Sequence, residues 1–185
     1  VLNDSVITDN HSLNGPGGGI AANNTPIIDI SDAALVNNSA ATHGGAIYLD
    51  AGTLNVAYSH LHGNSAWRGG AIFQSGTAAS EVSNSLIYSN TSTTGFGAGI
   101  RTEGGEFTLT HVTLVNNLNG AGYSQADTEG DATNSIAWGN DGGGFWISSG
   151  SFAGTCNIDQ SGNYGSASNP RFVNAASDDF HLLGD

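Results

Sequence analysis

Acidic side chains that recur at one position of the chain are its first candidates for catalysis. Asp29, Asn55, Glu81 and Thr108 each lie nine residues before a recurring asparagine. Paired carboxylates hydrolyse glycosidic bonds when they lie roughly 5 to 10 Å apart. On stacked strands Asp29 and Glu81 would be two spacings apart, roughly 9.6 Å, but Asn55 between them has no assigned task. Solvated strand faces explain these acids more simply, and a glycosidase stays the alternative.

A polysaccharide lyase is the second enzyme class that the residue types allow. A lyase needs a strong base and a cation that neutralises the substrate carboxylate. The chain's three basic residues are all arginines, so the base would be Arg68, Arg101, a tyrosine or one of the six histidines. These side chains do not gather at matching positions of neighbouring repeats, and the net charge of −13 would repel an acidic substrate. Whether the protein is an enzyme is left open, and the sequence favours a protein that is not.

Aromatic side chains predicted to point outward form the candidate ligand-binding site. A file is a set of side chains at the equivalent position of successive repeats. One file comes directly after the isoleucine of a repeated glycine-rich motif, and a second lies two residues before the recurring asparagine. The first file holds Tyr48, Phe73 and Arg101, and the second holds His62, Tyr88 and Trp138. Further aromatics are Trp67 in a loop and Phe145 and Trp146 in "GGGFWISS". Exposed rings stack on sugars or anchor a protein contact; the alternative is that they cover neighbouring loops.

Metal ligands are few and scattered. Asp127, Glu129 and Asp131 alternate in "QADTEGD", read as a long connection that could bind Ca²⁺, with a plain acidic loop as the alternative. His60 and His62 would need a third ligand for a metal site. No catalytic or metal-binding residue and no cofactor is therefore predicted, with Ca²⁺ left open. Cys156 is the only cysteine, so no disulfide within the chain is possible, and a small buried residue is predicted.

These residues must be positioned by a repeat of 23 to 28 residues. Each repeat ends in an apolar residue, two variable residues and an asparagine, and a glycine-rich motif ending in isoleucine keeps the same period. The asparagines are Asn10, Asn38, Asn64, Asn90, Asn117 and Asn140, and the isoleucines are Ile20, Ile47, Ile72 and Ile100. Apolar and polar residues alternate between these marks, which is the strand pattern. A period of this length predicts a solenoid with one repeat per coil.

The predicted fold is an all-β, right-handed, single-stranded parallel β-helix of about six or seven coils. Residues 1–150 are predicted to be repeat coils, and 151–185 the last coil and closing segment of the same domain. The isoleucines should stack inside, after glycines that supply positive φ angles. The asparagines should form a ladder at another corner, in the left-handed conformation.

The paired motifs resemble the repeats of the chlamydial polymorphic membrane proteins and of other bacterial right-handed β-helix surface proteins, from Leu2 to Asn140. The segment from Asn157 is similar to the closing segment of secreted bacterial β-helix proteins, with Asn169-Pro170, Phe172-Val173 and Asp179-Phe180-His181-Leu182. The resemblance implies a fragment of a longer protein, closed at this end by Pro170 and the charges of Asp178 and Asp179. The regular first repeat then predicts self-association through the N-terminal coil.

Composition limits the partners. With 16 acidic and 3 basic residues among 185, the chain lacks the basic patch that nucleic acid requires, and it has no apolar run long enough to insert in a membrane. Many Asn, Ser and Gly residues favour a bacterial secreted or surface protein. The expected role is a non-catalytic extracellular structural or adhesive module that contacts a carbohydrate or a cell-surface protein. The alternative is a carbohydrate-active β-helix protein.

Overall fold

The computed structural model describes residues 1–24 and 26–183. Short strands joined by bends form coils that stack on one another. The first coil holds β1 (Leu2–Asn3), β2 (Val6–Thr8) and β3 (His11–Ser12). The second holds β4 (Ile20–Asn23), β5 (Ile27–Ser31), β6 (Ala34–Val36) and β7 (Ser39–Ala40). The third holds β8 (Ile47–Asp50), β9 (Thr53–Ala57), β10 (His60–His62) and β11 (Ser65–Ala66). The next two hold β12 (Ile72–Ser75), β13 (Ala79–Ser83), β14 (Leu86–Tyr88) and β15 (Thr91–Gly95); and β16 (Ile100–Glu103), β17 (Glu106–Thr110), β18 (Thr113–Val115) and β19 (Leu118–Gly120).

The last coils are followed by a hairpin. These last coils hold β20 (Tyr123–Ala126), β21 (Thr128–Thr133) and β22 (Ile136–Trp138), and then β23 (Phe145–Ile147), β24 (Gly150–Thr155) and β25 (Ile158–Asp159). The antiparallel strands β26 (Phe172–Asn174) and β27 (Asp179–Leu182) flank a 3₁₀ helix at Ala175–Ser177.

Each strand of a coil pairs in parallel with the equivalent strand of the next coil, so the solenoid has four faces. Face A contains β1, β5, β9, β13, β17, β21 and β24, and face B contains β2, β6, β10, β14, β18, β22 and β25. Face C contains β3, β7, β11, β15 and β19, and face D contains β4, β8, β12, β16, β20 and β23. The predicted all-β, right-handed parallel β-helix is confirmed, with about six turns. No helix in the described ranges is long and apolar enough to cross a membrane.

The core is built from files of side chains that repeat once per coil. On face D the predicted stack Ile20, Ile47, Ile72 and Ile100 is confirmed by the pairing of the strands. The stack continues through Tyr123 and Phe145, which the sequence motif had not indicated. On face B the inward position of the last repeat belongs to Ala137, which is fully buried opposite Leu114. Ile136, one residue earlier, pairs with Thr113 and is only partly buried.

The asparagine ladder is confirmed as a buried chain of hydrogen bonds. The Asn64 side-chain oxygen accepts from the Asn38 backbone N–H at 2.9 Å and from the Asn38 amide at 3.1 Å. The Asn64 amide donates to the Leu35 carbonyl and to the Asn90 side-chain oxygen, both at 2.9 Å. Each ladder side chain therefore ties together the backbone and side chains of neighbouring coils.

The left-handed residues are not the ladder asparagines, and that expectation is wrong. Positive φ angles occur one residue and six residues before each ladder position. The first set is Asp9, Asn37, Gly63, Ser89, Asn116 and Gly139, and the second is Asp4, Asp32, Tyr58, Asn84, His111 and Asn134. Asn and Asp, which adopt this conformation more readily than most non-glycine residues, make up half of the first set and four of the six residues in the second. The chain therefore turns beside the ladder, and the ladder asparagines keep ordinary backbone angles.

The glycine motif makes the corner that leads into face D. Its first glycine has a positive φ, as at Gly44 and Gly69. Its second glycine leaves no room for a side chain, because a Cβ at Gly45 would overlap the carbonyl oxygen of Gly70 in the next coil. The predicted role of these glycines, positive φ and close backbone approach, is confirmed.

The closing segment leaves the solenoid end and folds back along face B. Tyr164 packs edge-on against Phe152 at 4.9 Å and lies over the end of the core. The hairpin then turns away, and Phe180 contacts the Tyr88 ring on face B at 5.4 Å. Asp178 borders the cleft beside His60 on that face, so its charge lies on a side face and not at the solenoid edge.

The ladder yields a stability prediction. Replacing Asn64 with Ala removes the acceptor of the buried Asn38 backbone N–H and the side-chain donor to the Leu35 carbonyl and the Asn90 oxygen. A buried polar group left unsatisfied costs about 1–3 kcal/mol. We expect Asn64→Ala to lower the unfolding free energy by about 3 kcal/mol or more, measured by urea titration. The control is Asn10→Ala, because Asn10 belongs to the same ladder but is exposed, and its expected cost is below about 1 kcal/mol. Equal losses would show that burial of the ladder is irrelevant.

Candidate functional site

The first predicted file lies on face D as expected. Tyr48, Phe73 and Arg101 occupy paired positions of β8, β12 and β16, and Ser124 and Trp146 continue the file on β20 and β23. The Tyr48 and Phe73 rings are stacked with their centres 5.8 Å apart and an angle of 12° between their planes. One-to-one pairing of the coils thus turns a sequence period into a row of adjacent side chains.

A second row, from the connections that enter face D, packs onto this file. Its members stand just before the glycine motif: His43, Trp67, Arg68 and Phe96. The His43 ring lies 4.3 Å from the Phe73 ring and 5.4 Å from the Trp67 ring. The Arg68 guanidinium carbon lies 4.5 Å from the centre of Trp67 and 5.2 Å from that of Phe96. The Phe96 ring lies 5.6 Å from the Trp146 ring.

We name these residues the aromatic–arginine strip: His43, Tyr48, Trp67, Arg68, Phe73, Phe96, Arg101 and Trp146. Two of the chain's three tryptophans and two of its three arginines belong to it. Sequence reasoning identified the face D file but not the partner row. The available signal was the position before each glycine motif, occupied by His43, Arg68 and Phe96.

One carboxylate holds both arginines of the strip. The same Glu103 oxygen accepts from Arg68 Nη1 at 2.9 Å and from Arg101 Nε at 3.0 Å. Arg101 also lies 3.3 Å from the Ser124 hydroxyl and stacks over Phe96 at 5.4 Å. Guanidinium groups that are both ion-paired and stacked on rings lose most of their freedom. The strip is therefore a rigid arrangement.

Exposure separates the supporting residues from the contact residues. Phe73 and Arg101 are only 3 % and 6 % exposed, because the connections cover them. Trp67 and Trp146 are 41 % and 42 % exposed. The predicted outward direction of Phe73 and Arg101 is right, but their role in the strip is to support the tryptophans that face solvent.

The connection carrying Trp67 is fixed by the next coil. The Trp67 carbonyl accepts from the Ser92 hydroxyl at 3.0 Å and from the Thr94 hydroxyl at 2.5 Å. Beyond it the chain turns at Gly69, whose φ is +64°. An exposed tryptophan on such a tethered backbone is already positioned for contact.

The second predicted file lies on face B, away from the strip. The His62 and Tyr88 rings stack at 4.6 Å with an angle of 16° between their planes. Trp138 is in the same file beyond Val115 and borders a cleft with Phe172 of the hairpin. Since the hairpin lies over this file, the structure does not combine the two predicted files into one site.

The acidic residues lie on face A. Asp29, Asn55, Glu81 and Thr108 are in register as predicted, and the Asn55 amide donates to Asp29 at 2.7 Å. The Asn55 amide is thus bonded to the Asp29 carboxylate, one of the two candidate catalytic carboxylates.

The reading of "QADTEGD" as a connection is wrong. Glu129 and Asp131 lie on β21, paired with Glu106 and Thr108. Among the described residues no group of three or more His, Cys, Asp or Glu side chains is placed to hold a metal ion. Cys156, predicted to be buried, is exposed at a turn with φ of +56°.

Burial alters the titration of several rings. Burial lowers the pKa of His43, with a smaller opposing effect from Glu103 and a further lowering by Arg68. Burial also lowers the pKa of His62, assisted by His60 and opposed by Asp178 of the hairpin. Burial first, and then Asp178, raises the pKa of Tyr88. Burial of His43 in the strip therefore favours its neutral form.

No family model, curated protein or solved structure matches this chain.

The shared carboxylate of the strip yields a prediction. Glu103→Gln leaves the buried Arg101 charge without its ionic partner, and breaking such a pair is strongly destabilising. Because Glu103 is partly exposed, solvent screening reduces the effect, and we expect a loss of about 2 kcal/mol in urea unfolding. The control Glu81→Gln, on exposed face A, should change stability by less than about 0.5 kcal/mol. A parent-like midpoint for Glu103→Gln would mean that the strip is not held by this carboxylate.

The lowered histidine pKa predicts a pH dependence. As pH falls below the unfolded value of about 6.5, the unfolded chain takes up a proton at His43 before the folded chain does. Stability from the neutral ring is therefore complete above that pH and falls as pH decreases toward the folded pKa. Urea midpoints should fall less between neutral and mildly acidic pH in His43→Gln than in the parent. His11→Gln, at an exposed position, is the control, and an unchanged slope in His43→Gln would contradict the assignment.

Proposed function

We propose that this chain is a non-catalytic, extracellular structural and adhesive module of a bacterial surface or secreted protein. The paired glycine-isoleucine and asparagine motifs, which resemble those of bacterial polymorphic membrane proteins, support the bacterial surface assignment. The single observation that carries the adhesive role is the aromatic–arginine strip, where two tryptophans, each about two-fifths exposed, stand on a rigid support.

The strip has the properties of a contact surface. Its exposed rings offer apolar area with a polar edge, which suits both sugars and protein surfaces. Its inner members, Phe73 and Arg101, are already buried and paired. Little conformational entropy is then lost when a partner binds, because the side chains that would order are ordered beforehand.

A parallel solenoid suits an adhesive role because it is a stiff rod with a repeating side surface. The strip lies on one long side of that rod and remains accessible when the rod stands away from a cell. Its partner is a carbohydrate or a protein of a host or neighbouring cell.

Adhesion can be measured directly. Beads carrying the parent chain should be retained under flow on bacterial or animal cell layers, and beads carrying Trp67→Ala/Trp146→Ala should wash off like bare beads. Tyr58→Ala is the matched control, since Tyr58 is an aromatic 62 % exposed at another corner, and its beads should behave like the parent. Retention that is absent, or equal in all three proteins, would refute the proposed contact surface.

A carbohydrate-active enzyme is the second candidate, and face A is what favours it. Glu106 pairs with Glu129, and Glu81 lies on the strand next to Glu106, so several carboxylates lie on one face of the solenoid. Incubation with a polysaccharide panel should release no reducing sugar from the parent. Release that disappears in Asp29→Asn/Glu81→Gln would establish catalysis and exclude the non-catalytic proposal.

A further inference from the structure

We propose that the aromatic–arginine strip binds an uncharged polysaccharide whose chain lies along the solenoid axis across Trp67, Phe96 and Trp146. This inference rests on the adhesive function proposed above and specifies the chemistry of its ligand. Four observations carry it: the direction of the ring row, its length, its charge and its small area.

The rings follow the solenoid axis. Trp67 lies in the connection just before β12, the strand that carries Phe73. Trp146 lies in the same outward file as Phe73, three strands further along the solenoid. Three strand spacings correspond to roughly 14 Å along the axis. Phe96 lies between the two tryptophans, joined to one through the Arg68 guanidinium and to the other by direct ring contact. A row of this length spans several successive sugar rings of an extended chain, which is more than a monosaccharide would use.

The strip is electrically balanced when the adjacent carboxylates of Glu103 and Asp50 are counted with it. Its two cations, Arg68 and Arg101, face Glu103 directly. Asp50 lies in the file of Glu103, with Ser75 between them donating to Asp50 at 3.0 Å. Two arginines are therefore matched by two carboxylates, and the neutral His43 ring adds no charge.

The charge of the rest of the molecule disfavours an acidic ligand. Without these two arginines and two carboxylates, 14 acidic residues and one arginine remain, so the whole net charge of −13 lies outside the strip and its two carboxylates. A polymer of uronic acids or sulfated sugars would meet this field without any surplus cation to bind it. An uncharged glycan has no such cost and uses ring stacking and hydroxyl hydrogen bonds alone.

The area of the row favours a glycan over a protein. A stable protein interface buries about 800 Å² on each partner. Three partly exposed rings in a single row provide much less. A polysaccharide strand is itself narrow, and its sugar rings present apolar faces to aromatic side chains along its length.

Affinity electrophoresis in native gels tests this directly. The neutral polymers are hydroxyethylcellulose, mixed-linkage β-glucan and glucomannan, and the acidic ones are polygalacturonate and alginate. We expect at least one neutral polymer to retard the parent and neither acidic polymer to do so. Retardation by the neutral polymer should survive an increase in salt from about 0.01 M to about 1 M, which shortens the Debye length from about 30 Å to about 3 Å.

Variants connect binding to the strip. Trp67→Ala and Trp146→Ala should each weaken binding about tenfold, as expected for aromatic anchors, and the double variant should not be retarded. Tyr58→Ala should bind like the parent. Circular dichroism and urea midpoints of all variants must match the parent, so that lost binding is not lost folding; because both tryptophans are surface residues, folding should be retained.

The remaining outcomes overturn the inference. These are no retardation by any neutral polymer, salt-sensitive retardation by an acidic polymer, or undiminished binding of the double tryptophan variant. If cell retention depends on Trp67 and Trp146 while no neutral polymer binds, the adhesive function stands and this ligand assignment fails. If a neutral polymer binds through these residues but beads are not retained on cells, the ligand assignment stands and the adhesive function fails.

Discussion

A coil of this protein can satisfy its backbone only against the coils beside it, and the buried asparagine ladder is where that dependence is greatest. Four buried side chains, those of Asn38, Asn64, Asn90 and Asn117, each bond both to the backbone and to the next amide of the ladder. Buried amides without partners are costly, so a coil shifted by one residue would lose the ladder and the apolar files together. The ladder thereby sets one register for every face of the solenoid.

This register is also what creates the functional surface. Residues at equivalent positions of successive coils lie one strand spacing apart, so Tyr48 and Phe73 stack without any further device. The connections into face D then vary in length. Six residues lead from Asn117 to Tyr123, whereas ten lead from Asn90 to Ile100. The Phe96 ring, in the longer of these two connections, contacts the Trp146 ring from a later coil.

The fold could be predicted from the sequence because each coil repeats the same few marks. The inward isoleucines, the ladder and the face A acids were all placed by counting from the asparagines. Three features were missed, for different physical reasons. The left-handed corners carried a local signal, Asn and Asp in two columns, but it was assigned to the wrong column. The partner row of His43, Arg68 and Phe96 shared only its position before each glycine motif, because its members differ in chemistry and become neighbours only through stacking of the coils. The hairpin over face B likewise depends on tertiary contacts such as that of Phe180 with Tyr88.

The strip is held in place by one carboxylate that binds two arginines. Two of the three basic residues in the sequence, Arg68 and Arg101, lie side by side in the strip. Their like charges would repel each other if the Glu103 carboxylate did not lie between them. The shared carboxylate removes that repulsion and fixes both guanidinium planes, and the planes in turn fix Trp67 and Phe96. A lysine could not replace either arginine, because a compact ammonium cannot lie flat between rings while also binding a carboxylate through a second edge. The arginines thus contribute geometry more than charge. The contact surface that results is aromatic and ordered, and together with Glu103 and Asp50 it has no net charge on a strongly acidic molecule.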